Sequence, residues 1–385
     1  MKGSRLLRGA AIAALVSAVI GVGMDGAGRA HAQTRITVPG AGPLYYPDIV
    51  KHLPLGRLYF FGTSEAAGPP LSVLDGYDLL NHQIGVNWFP RSTAQVVDYP
   101  ASMGVLSFSR AAPGVDDAVA AGRRSLDDQI RSAVAGGAPV VVAALSEGTL
   151  VVNRELAHLA ASPSAPPADL VSFAMYSSPE LGLADIYFRV GAWVPLMNYT
   201  AHSLADSQYD VSVVFHQYDF WGDPPDRPWN LLAVANALAG MAYFHEATPL
   251  ATRSDAVAVS QVTSDLGGTT TTFMIPSPTL PLLKPLQQLG VPKPVVNALN
   301  SALKPIVDAG YSKLTPDAGP YFSHGRLVFT PPVTTAAHGA RGSRLATPSE
   351  RFTSARLPKK VTERADASSG TTGHRVPERS ARVAA

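Results

Sequence analysis

The segment "VVVAALSEGTLVVNRELAHLA", Val140 to Ala160, decides the fold, because a serine stands where strand-forming residues give way to a helical pattern. Val140 to Leu145 is an unbroken apolar run, as in strands buried on both faces, and the residues from Thr149 onward read as a helix. Between them, Ala144-Leu145-Ser146-Glu147-Gly148 puts small residues two before and two after the serine. A helix folding back tightly against its strand needs that smallness, and such a turn projects the serine hydroxyl from the sheet edge as a nucleophile. In that reading the Glu147 N–H, at the start of the helix, stabilises an oxyanion. The alternative makes Ser146 a helix N-cap, a common role for serine.

Working outward, "RLYFF" from Arg57 to Phe61 and "AQVVDYPAS" from Ala94 to Ser102 are strand-like. Gly114 to Gly137 carries Val119, Leu126, Ile130 and Val134 at helical spacing and stops at paired glycines. "LVSFAMYSS" and "YDVSVVFHQYD" are two further strands. Short apolar strands alternating with helices predict a doubly wound α/β fold on a mostly parallel sheet. The proline-punctuated segment Phe273 to Tyr311 reads as short helices, a cap-like element that either closes over an apolar substrate or packs against the sheet.

A nucleophile at this turn requires an acid and then a histidine further along the chain. Asp219, Asp223 and Asp226 follow a strand, and a helix-like run ends at His245. One helix is enough to bring the chain back across the sheet end, so that Asp holds the imidazole and His takes the serine proton. Each acid also suits a turn or cap role. His216 lies within a strand, and His324 is a reserve. The loop "FFGTSEAAGPP" offers the backbone of Thr63 or Ser64 as a second oxyanion donor, with Gly62 allowing close approach.

Composition bounds the rest. With 385 residues, 46% hydrophobic and 16% charged, the chain can bury one large core with appendages. Residues 1–32 read as an export signal, with Lys2, Arg5 and Arg8 before an apolar run and Ala30-His31-Ala32 as a cleavage site, or as an uncleaved anchor. Residues 336–385 form a basic tail rich in Ser, Thr, Arg and Pro, for which disorder is expected. Without these two segments the body, 33–335, is acidic, which argues against a nucleic-acid surface. Cysteine is absent, which excludes disulfides, thiolate metal sites and a cysteine nucleophile. No two-histidine helical spacing anchors a metal, and no cofactor is expected.

Taken in order, "FGT", "VVDYPAS", the elbow serine, "YDFWGDPPDRPWNLLAVANALAGMAYFH", "MIPSPTLPLLKPLQQLG" and "PIVDAGYSKL" resemble the PE-PPE C-terminal domain family, cutinase-like serine hydrolases and acyltransferases of mycobacteria and relatives. The similarity runs from about Leu58 to Tyr311. It implies an α/β-hydrolase fold, a Ser-Asp-His triad, export to the cell envelope with possible peripheral contact there, and action on fatty acyl esters or glycolipids. The family's nucleophile falls on Ser146 and its histidine on His245. Its acid matches Asp219 or Asp223, with Asp223 preferred because "GDP" resembles the acid loop of cutinases. The chain departs from the pattern at Ala144, at Glu147 and at Glu246, which stands where an aromatic is common. A non-catalytic lipid-binding protein on the same fold is the competing expectation.

Overall fold

The structure is a computed structural model that describes residues 33–54 and 71–331. The expected leader (1–32), the strand Arg57–Phe61, the loop holding Thr63 and Ser64, and the basic tail (336–385) lie outside the described residues.

Strand β1 (Gln33–Val38) opens the described chain. Helix α1 (Val73–Gln83), capped by Ser72 whose hydroxyl accepts the Asp75 N–H, and β2 (Ser92–Val96) follow. Next come α2 (Val115–Val134), β3 (Val140–Leu145), α3 (Glu147–Ala161) and β4 (Val171–Tyr176). The chain continues through β5 (Asp210–His216), α4 (Leu231–Phe244), the hairpin β6 (Val257–Thr263) and β7 (Thr269–Ile275), and α5 (Lys293–Asp308).

Seven strands form one sheet in the order β2-β1-β3-β4-β5-β7-β6. All neighbours run parallel except β6, which pairs antiparallel with β7 at the edge. Strand β3 is buried along its whole length, as its apolar run requires. Its side chains alternate between faces. Val140, Val142 and Ala144 join α2 and α3 in one core. Ala143 and Leu145 join Tyr77 and Leu80 of α1 with Ile84, Trp88, Tyr176 and Phe273 in the core on the opposite face. Helices on both faces of a mostly parallel sheet make the doubly wound α/β architecture that the sequence predicts.

Two expectations change. The strand predicted over Ala94–Ser102 ends at Val96. After the Val97 N–H donates to the Thr37 carbonyl, the chain leaves the sheet, and Ala101 adopts a positive φ of 45°. Of the two roles open to the Phe273–Tyr311 segment the structure shows packing, and its first residues, Phe273–Ile275, belong to β7 and not to a short helix. Leu280, Leu283, Val296, Val307 and Tyr311 form a third core with Ala233 of α4 and Tyr218, while Leu289, Val295, Leu299 and Ile306 stay exposed.

Candidate active site

The site is assembled at the carboxyl ends of the central parallel strands, where loops leave the sheet in different directions. Ser146 follows β3 directly and holds φ 53° and ψ −120°, a conformation unfavourable for a residue with a Cβ. Its N–H donates to the Tyr176 carbonyl at 3.0 Å, fixing the turn to β4. Gly148 is required by close approach: a Cβ there would lie 2.3 Å from the Val38 carbonyl oxygen and 2.5 Å from that of Pro39. Helix α3 therefore starts against the end of β1, and the Glu147 N–H stands at its N-terminus.

Asp219 and His245 meet beside this turn. The Nδ1 of His245 lies 2.9 Å from Asp219 Oδ2 and 3.2 Å from Oδ1, with the carboxylate fully buried and the imidazole 4% exposed. The N–H groups of Trp221 and Gly222 also donate to Asp219, each at 3.3 Å. Burial alone would raise the Asp219 carboxyl, but the charge and hydrogen bond of His245 outweigh it and hold the group below its ordinary value. For His245 the same attraction outweighs desolvation and raises the imidazole. With Nδ1 committed to Asp219, Nε2 is the nitrogen left for the serine. Ser146 and His245 line one cavity, although no hydrogen bond joins them in this structure. Such bonds are often long before substrate binds.

His245 meets Asp219 in this structure and not Asp223, the acid preferred from the sequence. Asp223 Oδ2 accepts the Tyr218 N–H at 2.9 Å and its Oδ1 pairs with Lys313. That carboxylate is consumed within its own turn and by the C-terminal segment. Asp226 accepts from the N–H and hydroxyl of Ser312. His216 stacks on Phe244 with ring centroids 3.8 Å apart, and burial pushes it down to about 4. His324 pairs with Asp185 on the surface at 3.0 Å.

Thr63, the expected second oxyanion donor, lies outside the described residues. Among the described residues, the loop after β1 lies next to Ser146. At Gly40 a Cβ would lie 2.9 Å from the Ser146 Cβ, and both Gly40 and Ala41 line the cavity. The Ala41 N–H is therefore a second donor candidate alongside that of Glu147. The sequence signal was present in "VPGAG", small residues directly after a strand, but β1 itself went unread.

Three hydrogen bonds clamp this loop. Tyr99 Oη donates to the Pro39 carbonyl at 2.7 Å, Tyr77 Oη donates to the Gly40 carbonyl at 2.9 Å, and the Gly42 N–H donates to the Ala101 carbonyl at 3.0 Å. Glu147 Oε1 accepts the Ser102 N–H at 3.2 Å and so ties down the residue after Ala101. Burial pushes the Glu147 carboxyl well above the usual range, against the opposing hydrogen bond from Ser102. Tyr77→Phe is expected to slow acylation about tenfold with little change in KM, because loosening one neutral hydrogen bond misplaces a transition-state donor by about 1 kcal/mol. Pre-steady-state release of p-nitrophenol from an acyl ester measures it.

The cavity, about 250 Å³, is walled mainly by apolar side chains. Met103, Val115 and Leu150 face Phe188, Val194 and Met197, and the latter group belongs to the irregular segment between β4 and β5. Buried Glu180 anchors that segment, accepting from Arg154 Nη1 and Nη2 at 2.9 and 2.8 Å, from Asn153 at 2.7 Å and from Tyr199 Oη at 3.0 Å. The wall is thereby bolted to α3.

A strained serine between a central parallel strand and the following helix, with an acid and a histidine on later loops at the same sheet end, defines the α/β-hydrolase fold. The chain belongs to the PE-PPE domain family, whose profile matches residues 90–312. It is 52% identical over 296 residues to the uncharacterized PPE family protein PPE63 of Mycobacterium tuberculosis, covering 77% of this chain and 58% of that relative's length. It is 37% identical over 291 residues to the SL1278 acyltransferase Chp1 of the same organism, covering 74% of this chain and 66% of the relative. The diacyltrehalose acyltransferase Chp2, also from M. tuberculosis, is 33% identical over 311 residues, covering 75% and 84%.

Proposed function

We propose that this chain is a serine-dependent esterase or acyltransferase acting on fatty acyl esters of cell-envelope lipids or glycolipids. The observation that carries the reading is Ser146 in its strained turn, opening into the same apolar cavity as a histidine held by a buried carboxylate. Relatives named as acyltransferases support the reaction class. Export and contact with the envelope belong to this proposal and rest on the composition of residues 1–32 and on the apolar cavity.

Mechanistically, His245 Nε2 takes the Ser146 proton as Oγ attacks the ester carbonyl, while Asp219 orients the imidazole and balances its charge. The N–H groups of Glu147 and Ala41 receive the developing oxyanion. Collapse of the tetrahedral species expels the alcohol, which His245 protonates, and leaves the acyl chain on Ser146 with its tail along the apolar wall. Water then gives hydrolysis, and a second alcohol gives transfer.

The test is mass spectrometry after exposure to a fluorophosphonate. A single adduct on Ser146, prevented by prior incubation with a long-chain acyl ester, is expected. A folded protein that takes up no label would instead favour a lipid-binding role for the same cavity.

A further inference from the structure

The two sides of the cavity differ in chemistry. Beyond Ser146 on one side lie the apolar residues already described, held together where the Val115 N–H donates to the Met197 carbonyl at 2.8 Å. On the other side, α1 and the turn after α4 contribute Asn81 and Glu246 next to His245. These elements are tied by the Gly85 N–H on the Pro249 carbonyl at 2.9 Å and by Asn87 Nδ2 on the Leu250 carbonyl at 2.5 Å.

The two polar side chains on this wall have oxygens that the protein leaves available. Asn81 is 4% exposed, and its Oδ1 has no hydrogen-bond partner among the described residues. Among the described residues, the Glu246 carboxyl accepts a hydrogen bond from its own backbone N–H. Desolvation pushes it up to about 7 against the opposing charge of His245. One backbone donor leaves most of the acceptor capacity of a carboxyl unused, and a ligand hydroxyl that takes it up offsets the cost of holding the group in an apolar cavity. The incoming alcohol must approach His245 Nε2, and Glu246 lines the same cavity beside it.

We propose that Glu246 selects the acyl acceptor: its carboxyl receives a hydroxyl other than the reacting one, so the site prefers alcohols with two or more hydroxyl groups. This rests on the acyl-transfer reading. In the step concerned, His245 Nε2 removes the proton of the reacting hydroxyl as its oxygen bonds to the acyl carbon. The bond from that carbon to Ser146 Oγ then breaks, and His245 returns the proton to Oγ. The products are the new ester and free serine.

The experiment offers the full chain a p-nitrophenyl acyl ester with glycerol and 1-propanol at equal concentrations, and measures the ratio of glyceryl to propyl ester. Both alcohols compete for one acyl-enzyme, so the ratio reads the second half-reaction whatever the rate of the first. The wild type is expected to favour glycerol at least tenfold over what Glu246→Leu retains, with Glu246→Gln between them because it keeps a carbonyl acceptor. The isosteric Gln variant carries the test if the Leu variant does not fold. A parallel set with glucose replacing glycerol separates a sugar acceptor from a glycerol-type one. Equal ratios in all three proteins would overturn the role of Glu246 alone. Release of nothing but free acid would overturn transfer and the acceptor site together, and absence of acyl-Ser146 would remove the nucleophile as well.

Discussion

Ser146→Ala should lower the rate of p-nitrophenol release from an acyl ester by on the order of 10⁶-fold, the loss seen when a triad nucleophile is removed. The structural reason is that, among the described residues, no other serine or threonine lines the cavity. The positive φ of Ser146 is imposed by the joint between β3 and α3, and the Gly148 approach to Val38 and Pro39 allows no alternative path for the chain. His245→Ala should cost nearly as much, and the double variant scarcely more than either, because a base without its nucleophile has no proton to take. The measurement is single-turnover kinetics on proteins whose circular dichroism matches the wild type. If Ser146→Ala keeps even a hundredth of the wild-type rate, another group attacks and the elbow assignment is wrong. Removing the strained serine is not expected to destabilise the fold, since alanine relieves nothing that the sheet joint requires.

The features most legible in the sequence were those set by local periodicity. The unbroken run in β3, the helical spacing in α2 and the small residues flanking Ser146 all reflect short-range sterics, and the structure places each where the pattern predicts. Strand β1 was not legible, because "QTRITV" has no apolar run and hides a buried arginine, Arg35, whose guanidinium donates to the His82 carbonyl at 3.0 Å. Missing it meant missing the Pro39–Gly42 loop. The helices of Phe273–Tyr311 showed an apolar stripe, but periodicity reports that a face is buried and not which surface buries it. The cavity wall between β4 and β5 is irregular and held by Glu180, a long-range network with no local signature. For the acid, chain order narrowed the choice to neighbouring aspartates, while side-chain direction depended on partners far along the chain, such as Lys313.

Asp219→Asn and Asp223→Asn separate those two acids by effect. Asp219→Asn should lower acylation by roughly 10⁴-fold, as when the acid of a comparable triad becomes an amide and the histidine settles in the wrong tautomer. It should also move the acid limb of the pH–rate profile. Asp219 raises His245 while burial lowers it, so without the carboxylate the imidazole loses its proton at lower pH and the limb shifts downward. Asp223→Asn leaves an oxygen to accept the Tyr218 N–H and gives up the attraction to Lys313, whose side chain is 47% exposed. Lys313 reaches water but Asp223 is buried, so the loss exceeds that of a surface pair, and this variant should lose several degrees of Tm while its acylation rate stays within a few-fold of wild type. The reverse result, collapse of activity in Asp223→Asn with a mild effect in Asp219→Asn, would require the turn from Tyr218 to Asp226 to rearrange when substrate binds. The Trp221 and Gly222 N–H groups oppose that rearrangement, because both are already donated to Asp219 and would have to be released into a buried site.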